Sequence, residues 1–196
     1  MCGRVHLVLA LTVTAVLYRY TDAGDCSTED CSYLHFQVFE DFKFIILNAT
    51  SDQQLDLRCL TVKKLPPITI DYESTIRSAS NPSYQVKYMK NDDEIRSSQV
   101  RVSFPERKIS VAWESETLQF DLRFYYEKTC FVLEKIAQGD SGSKYYLFSN
   151  VNAKDTGFEQ CMTKLKEYSG GNVTFPNEGQ NCDRVVEQFG KDPQYF

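Results

Sequence analysis

From Phe42 onward, apolar and polar residues alternate in short runs separated by turn-forming clusters, the signature of half-buried strands. Residues 42–50, with Phe44-Ile45-Ile46-Leu47 at their centre, predict a first strand, and residues 55–65 a second that Pro66-Pro67 ends, since proline cannot donate to a ladder. A long connection follows, in which residues 68–76 are compatible with a further strand and residues 78–83 are loop. Residues 84–90, 97–104 and 108–113 form a meander with turns at 91–94 and 105–107. Two more runs meet at Cys130, and residues 144–149 follow the turn at 139–142. The period then changes. Phe158, Cys161, Met162, Leu165 and Tyr168 share one side of a helix that opens on the capping-box pattern Thr156-x-x-Glu159 and ends at Gly170-Gly171. Residues 33–39, apolar and aromatic, predict a short helix or turn, and the residues after Cys182 a polar tail. The fold expected is all-β: an eight-stranded antiparallel barrel with a C-terminal amphipathic helix packed on its outside.

The strand before Cys130 alternates strictly. Leu118, Phe120, Leu122 and Phe124 lie on one face, and Gln119, Asp121, Arg123 and Tyr125 on the other. Read alone, the pattern turns the apolar set toward the core.

Residues 1–23 read as a signal peptide: Arg4, an apolar run from Val5 to Leu17, and Thr21-Asp22-Ala23 as the cleavage site. Residues 24–196 are then a single secreted domain, and no later stretch approaches the roughly 18 consecutive apolar residues of a membrane span. Without the leader's Arg4, Arg19 and Asp22, 20 basic residues face 26 acidic ones. That balance speaks against nucleic acid, which needs a basic surface. Loss of Cys2 leaves six cysteines of seven, an even number in an oxidising compartment, which implies disulfides without choosing among the pairings.

Little in the chain suggests catalysis. After the leader the one histidine is His35, beside Phe36 in an apolar segment, and the cysteines lack zinc-ligand spacing. There is no glycine-rich phosphate loop, and the carboxylate pairs Asp92/Asp93 and Glu114/Glu116 sit at predicted turns. The expectation is a binding protein rather than an enzyme, with no metal or cofactor, and with its site in the barrel interior. Asn48-Ala49-Thr50 and Asn172-Val173-Thr174 are N-glycosylation acceptor patterns.

Several segments together carry a resemblance. They are the order Cys59, Cys130, Cys161, Cys182, the run Tyr125-Tyr126-Glu127-Lys128-Thr129-Cys130-Phe131-Val132, Tyr145-Tyr146-Leu147-Phe148, and Phe158-Glu159-Gln160-Cys161-Met162-Thr163-Lys164-Leu165. Over residues 33–182 the chain resembles the tick salivary lipocalins, the family of the tick histamine-binding proteins. The resemblance implies disulfides Cys59–Cys182 and Cys130–Cys161, and leaves Cys26 and Cys31 to pair with each other. In the histamine binders carboxylates and aromatic rings hold a cationic amine. Asp121 stands at one such acidic position, Tyr146 and Phe148 stand where the family has Glu and Trp, and the loop after the first strand keeps Asp52 and Asp56 but no Trp.

The register so implied turns Gln119, Asp121, Arg123 and Tyr125 inward and Phe120 and Leu122 outward beneath the helix, and this inward polar face is the expectation taken forward. The interior would then be lined by Phe131, Leu133, Tyr146, Phe148, Phe44 and Ile46, with Gln119 and Asp121 as polar anchors. The function implied is sequestration of a small host mediator, countering host defence. That mediator is either a biogenic amine such as histamine or serotonin, or a lipid such as a leukotriene. The alternative is a protein-binding inhibitor of host complement or coagulation that uses the long connection 66–83.

Overall fold

A computed structural model describes residues 24–25, 34–66, 82–105, 108–126, 128–137, 142–151 and 157–189. The predicted leader, Cys26, Cys31, residues 68–76 of the long connection, Thr156 and the side chain of His35 lie outside the described residues.

Eight antiparallel strands make the barrel: β2 (Phe44–Thr50), β3 (Arg58–Lys64), β4 (Ser83–Met89), β5 (Ile95–Ser103), β6 (Ile109–Trp113), β7 (Glu116–Tyr126), β8 (Cys130–Lys135) and β9 (Lys144–Asn150). Each pairs with the next from β2 to β9, and β2 pairs with β9 to close the ring. A two-residue strand β1 (Gly24–Asp25) pairs with the end of β7. Helix α1 (Leu34–Asp41) plugs one end, with Val38, Phe39 and the following Phe42 buried among the interior residues. The other end, the mouth, is where β2, β4, β6 and β8 finish and β3, β5, β7 and β9 begin.

Alternation places Tyr84, Val86 and Tyr88, Val100 and Val102, and Ile109, Val111 and Trp113 on the inner wall. Three strands break the alternation. Register shifts fall between Leu47 and Ala49 in β2, Arg58 and Thr61 in β3, and Leu122 and Phe124 in β7. A bulge adds one residue and so reverses which side chains face inward. In β2, Ile45 and Leu47 face the interior, whereas Ala49 faces outward. In β7, Phe120 and Leu122 face inward and Phe124 outward.

The outward residues are covered by α2 (Phe158–Tyr168), whose Cys161 and Leu165 pack on Ala49, Phe124, Cys130, Val132 and Leu147. The disulfide Cys130–Cys161 fastens that helix to β8. The helix N-cap is Gly157 at φ 113°, one residue later than the capping-box pattern predicts; a Cβ there would strike the Tyr126 ring.

The segment after α2 straps the barrel. Thr174 exchanges backbone hydrogen bonds with Thr50 at 2.8 and 3.0 Å. Asn177 donates from Nδ2 to the Leu47 carbonyl at 2.6 Å and accepts from the Cys59 amide at 2.7 Å, so one side chain satisfies backbone groups at two bulges. Cys59, at φ 52°, is bonded to Cys182. The predicted polar tail is instead a helix, α3 (Asp183–Gln188), with Val185 fully buried beside Cys59 and Met89. Buried Lys87 donates to the Gln188 carbonyl at 3.0 Å and lies over the Phe189 ring.

Candidate functional site

The barrel encloses a cavity of about 200 Å³ bounded by apolar side chains from α1 and all eight barrel strands. Its closed end is aromatic. Phe131 and Phe148 stack with ring centroids 5.5 Å apart, and Phe42 and Phe39 meet Phe131 at 4.8 and 6.3 Å. Tyr84 donates to the Phe39 carbonyl at 3.2 Å, and burial, followed by the nearby Glu40, pushes its hydroxyl pKa well up. Val86, Val100, Phe120 and Leu133 line the middle.

Among the described lining residues charge enters only at the mouth, where Asp52, Lys135, Leu55, Leu57, Trp113 and Leu118 border the opening. Asp52, 8% exposed, accepts from Lys144 Nζ at 2.7 Å, from the Tyr146 hydroxyl at 2.9 Å and from the Gln54 amide at 3.2 Å. Burial pushes its carboxyl up, but those hydrogen bonds together with the Lys144 charge outweigh burial and hold it below the ordinary aspartate value. Burial and then the Asp52 bond push the Tyr146 hydroxyl far up, so it remains a donor. Lys135 has no ion pair among the described residues. It borders the interior cavity and also two grooves outside the mouth, of about 560 and 300 Å³.

The site residues expected from sequence divide evenly. Phe131, Leu133, Tyr146 and Phe148 line the cavity. Gln119, Asp121, Phe44 and Ile46 do not; they face outward. Before its bulge β7 keeps the plain alternation, with Leu118 and Phe120 inside, so Asp121 stands on the outer wall opposite Glu134, itself paired with Arg123 at 3.4 Å. After the bulge Tyr125 is inside against Phe42, as the family register implied. The inward polar face is thus corrected for Gln119, Asp121 and Arg123 and holds for Tyr125. In β2 the inward pair is Ile45 and Leu47. Phe44 packs on Phe189 outside at 5.1 Å, and Ile46 alternates outward between Thr61 and Ser149.

Two mouth residues were missed although the pattern held them. Lys135 continues the face of Phe131 and Leu133 at two-residue spacing, and Trp113, the one tryptophan, continues Ile109 and Val111.

Solved structures share this architecture. Lobster apocrustacyanin A1 superposes with a TM-score of 0.59 at 12% identity, over 85% of this chain and 96% of that one. The fold is that of a lipocalin. H1 crustacyanin from the lobster Homarus americanus gives 0.54 at 10% identity over 86% and 96% of the two chains. The cockroach allergen Per a 4 gives 0.51 at 10% identity over 76% and 89%. No family model matches the sequence, and no curated protein matches it. The likeness to these lipocalins is one of fold.

Proposed function

We propose that the barrel binds a small, mainly apolar ligand ending in a carboxylate, and that the chain is a secreted sequestering protein for a lipid mediator. The observation that carries this reading is the division of charge at the mouth: Asp52 is already engaged by Lys144 and Tyr146, whereas Lys135 has no ion pair among the described residues. A buried ammonium needs a carboxylate or a cage of rings to offset its desolvation. Among the described residues Asp52 is the one acid bordering the cavity, and an amine would have to displace Lys144 from it. An anion meets the opposite situation, a lysine able to donate without losing a partner.

Size supports the same arrangement. Small-molecule sites commonly measure roughly 300–1,000 Å³. A ligand of ordinary size that fills the 200 Å³ interior therefore extends to the mouth, placing its polar end beside Lys135. The leader-like residues 1–23 and the disulfides Cys59–Cys182 and Cys130–Cys161 support an extracellular role. The resemblance to tick salivary lipocalins supports a host mediator as the target.

Trp113 at the mouth gives the readout. Titration with a long-chain fatty acid should quench its fluorescence more tightly than histamine or serotonin does. Lys135→Met should weaken the acid about tenfold, equivalent to about 1.4 kcal/mol, and leave its methyl ester unchanged. Tighter binding of histamine than of the acid, or equal loss for acid and ester, overturns the assignment.

A further inference from the structure

The two glycosylation acceptor triplets occupy opposite environments. Asn48-Ala49-Thr50 lies wholly within β2. The Asn48 amide nitrogen uses both of its hydrogens, donating to Ser149 Oγ at 2.6 Å and to the Ile46 carbonyl at 3.3 Å. Ala49 is sealed under α2, and Thr50, 1% exposed, donates to the Tyr145 carbonyl at 2.8 Å and accepts from the Asp52 amide at 3.0 Å. Asn172 stands in the turn after α2, exposed, and its side chain has no hydrogen bond among the described residues. Gly170 and Gly171, at φ 62° and 85°, carry the chain around that turn, and Thr174 then ties it to Thr50 at the mouth end of β2.

We propose that Asn172 carries an N-linked glycan in the secreted protein and that Asn48 does not. In the transfer, a bond forms between the side-chain amide nitrogen and the anomeric carbon of a lipid-linked oligosaccharide diphosphate. The anomeric carbon–oxygen bond breaks, the lipid diphosphate leaves, and the amide nitrogen gives up one proton. At Asn172 the hydrogen replaced points to water, so the folded barrel accommodates the product unchanged. At Asn48 the hydrogen replaced is one of two holding the strand's outer face, and the sugar would have to occupy the place of Ser149 or the β2 backbone. Both triplets are exposed to the transferase before folding. Chains modified at Asn48 lose the β2–β9 side-chain bond and its packing and are depleted from the folded, secreted pool. The glycan at Asn172 stands beside the barrel mouth, on the α2 flank.

The test is to secrete the full chain from insect cells, release its N-glycans with an amidase in heavy-oxygen water, and map the peptides. The expected result is a heavy aspartate at position 172, none at 48, and an Asn172→Gln variant smaller by one glycan. A heavy aspartate at 48, or none at 172, overturns the proposal. Mapping the unaltered chain decides the matter even where a variant is not secreted.

Discussion

The two ends of the cavity are built from different materials. At the closed end Phe39, Phe42 and Phe148 all meet the Phe131 ring, at centroid distances of 4.8 to 6.3 Å. At the mouth a few polar groups, Asp52, Lys144, Tyr146 and Lys135, stand beside the apolar Leu55, Leu57, Trp113 and Leu118. An aromatic cluster cannot exchange partners without leaving voids, because interiors are packed to near-crystalline density. Lys135, with no ion pair among the described residues, can exchange water for a ligand at little cost. Stability is therefore concentrated at one end and selectivity at the other, and this division lets a single small core serve both.

Removing a closed-end ring should have the largest effect. Phe131 is 1% exposed, and Phe131→Ala should lower unfolding free energy by about 3–5 kcal/mol in a urea titration. A loss below about 1 kcal/mol would mean that the closed end is loosely packed and the division illusory.

Next is Asp52→Asn, which keeps the shape but removes the charge facing Lys144; a loss of about 1–2 kcal/mol at neutral pH is expected. Its pH dependence carries the sign. Because the folded-state pKa lies below the ordinary aspartate value of 3.8, the wild-type advantage is fully present above that pH and declines as pH falls through the lowered value. An advantage that instead disappeared between pH 5 and 7 would contradict the Lys144–Asp52–Tyr146 geometry.

The smallest effect belongs to the outer wall. Asp121→Asn should change stability by less than about 0.5 kcal/mol and leave every ligand affinity unaltered. A marked loss of affinity would put Asp121 back in the cavity and erase the distinction between wall and mouth.

Much of the barrel was legible in the pattern. The eight strands follow from the alternation and the turn clusters, α2 from a change of period, and Cys59–Cys182 and Cys130–Cys161 from the resemblance. What resisted reading was parity. Alternation fixes that Phe120 and Asp121 face opposite ways, but a bulge at Arg123 reverses the relation between sequence and side within one strand. Both readings of β7 were therefore half right: the plain pattern up to Leu122, the family register at Tyr125. In β2 the bulge reverses only Ala49; Phe44 and Ile46 precede it and face outward by plain alternation with Ile45 and Leu47. Helix α3 was missed because its six residues are mostly polar and only Val185 is fully buried, too short a stretch for a periodic signal.

The strap from Thr174 to Cys182 has a consequence in time. The bonds that finish β2 and β3 come from Thr174, Asn177 and Cys182, the last of these 123 residues after Cys59. At a synthesis rate of about 5–20 residues per second, Cys59 waits roughly 6–25 s for its partner. During that interval the nascent chain already exposes Cys130, so Cys59 depends on thiol–disulfide exchange to release any premature bond before the C-terminal strap closes.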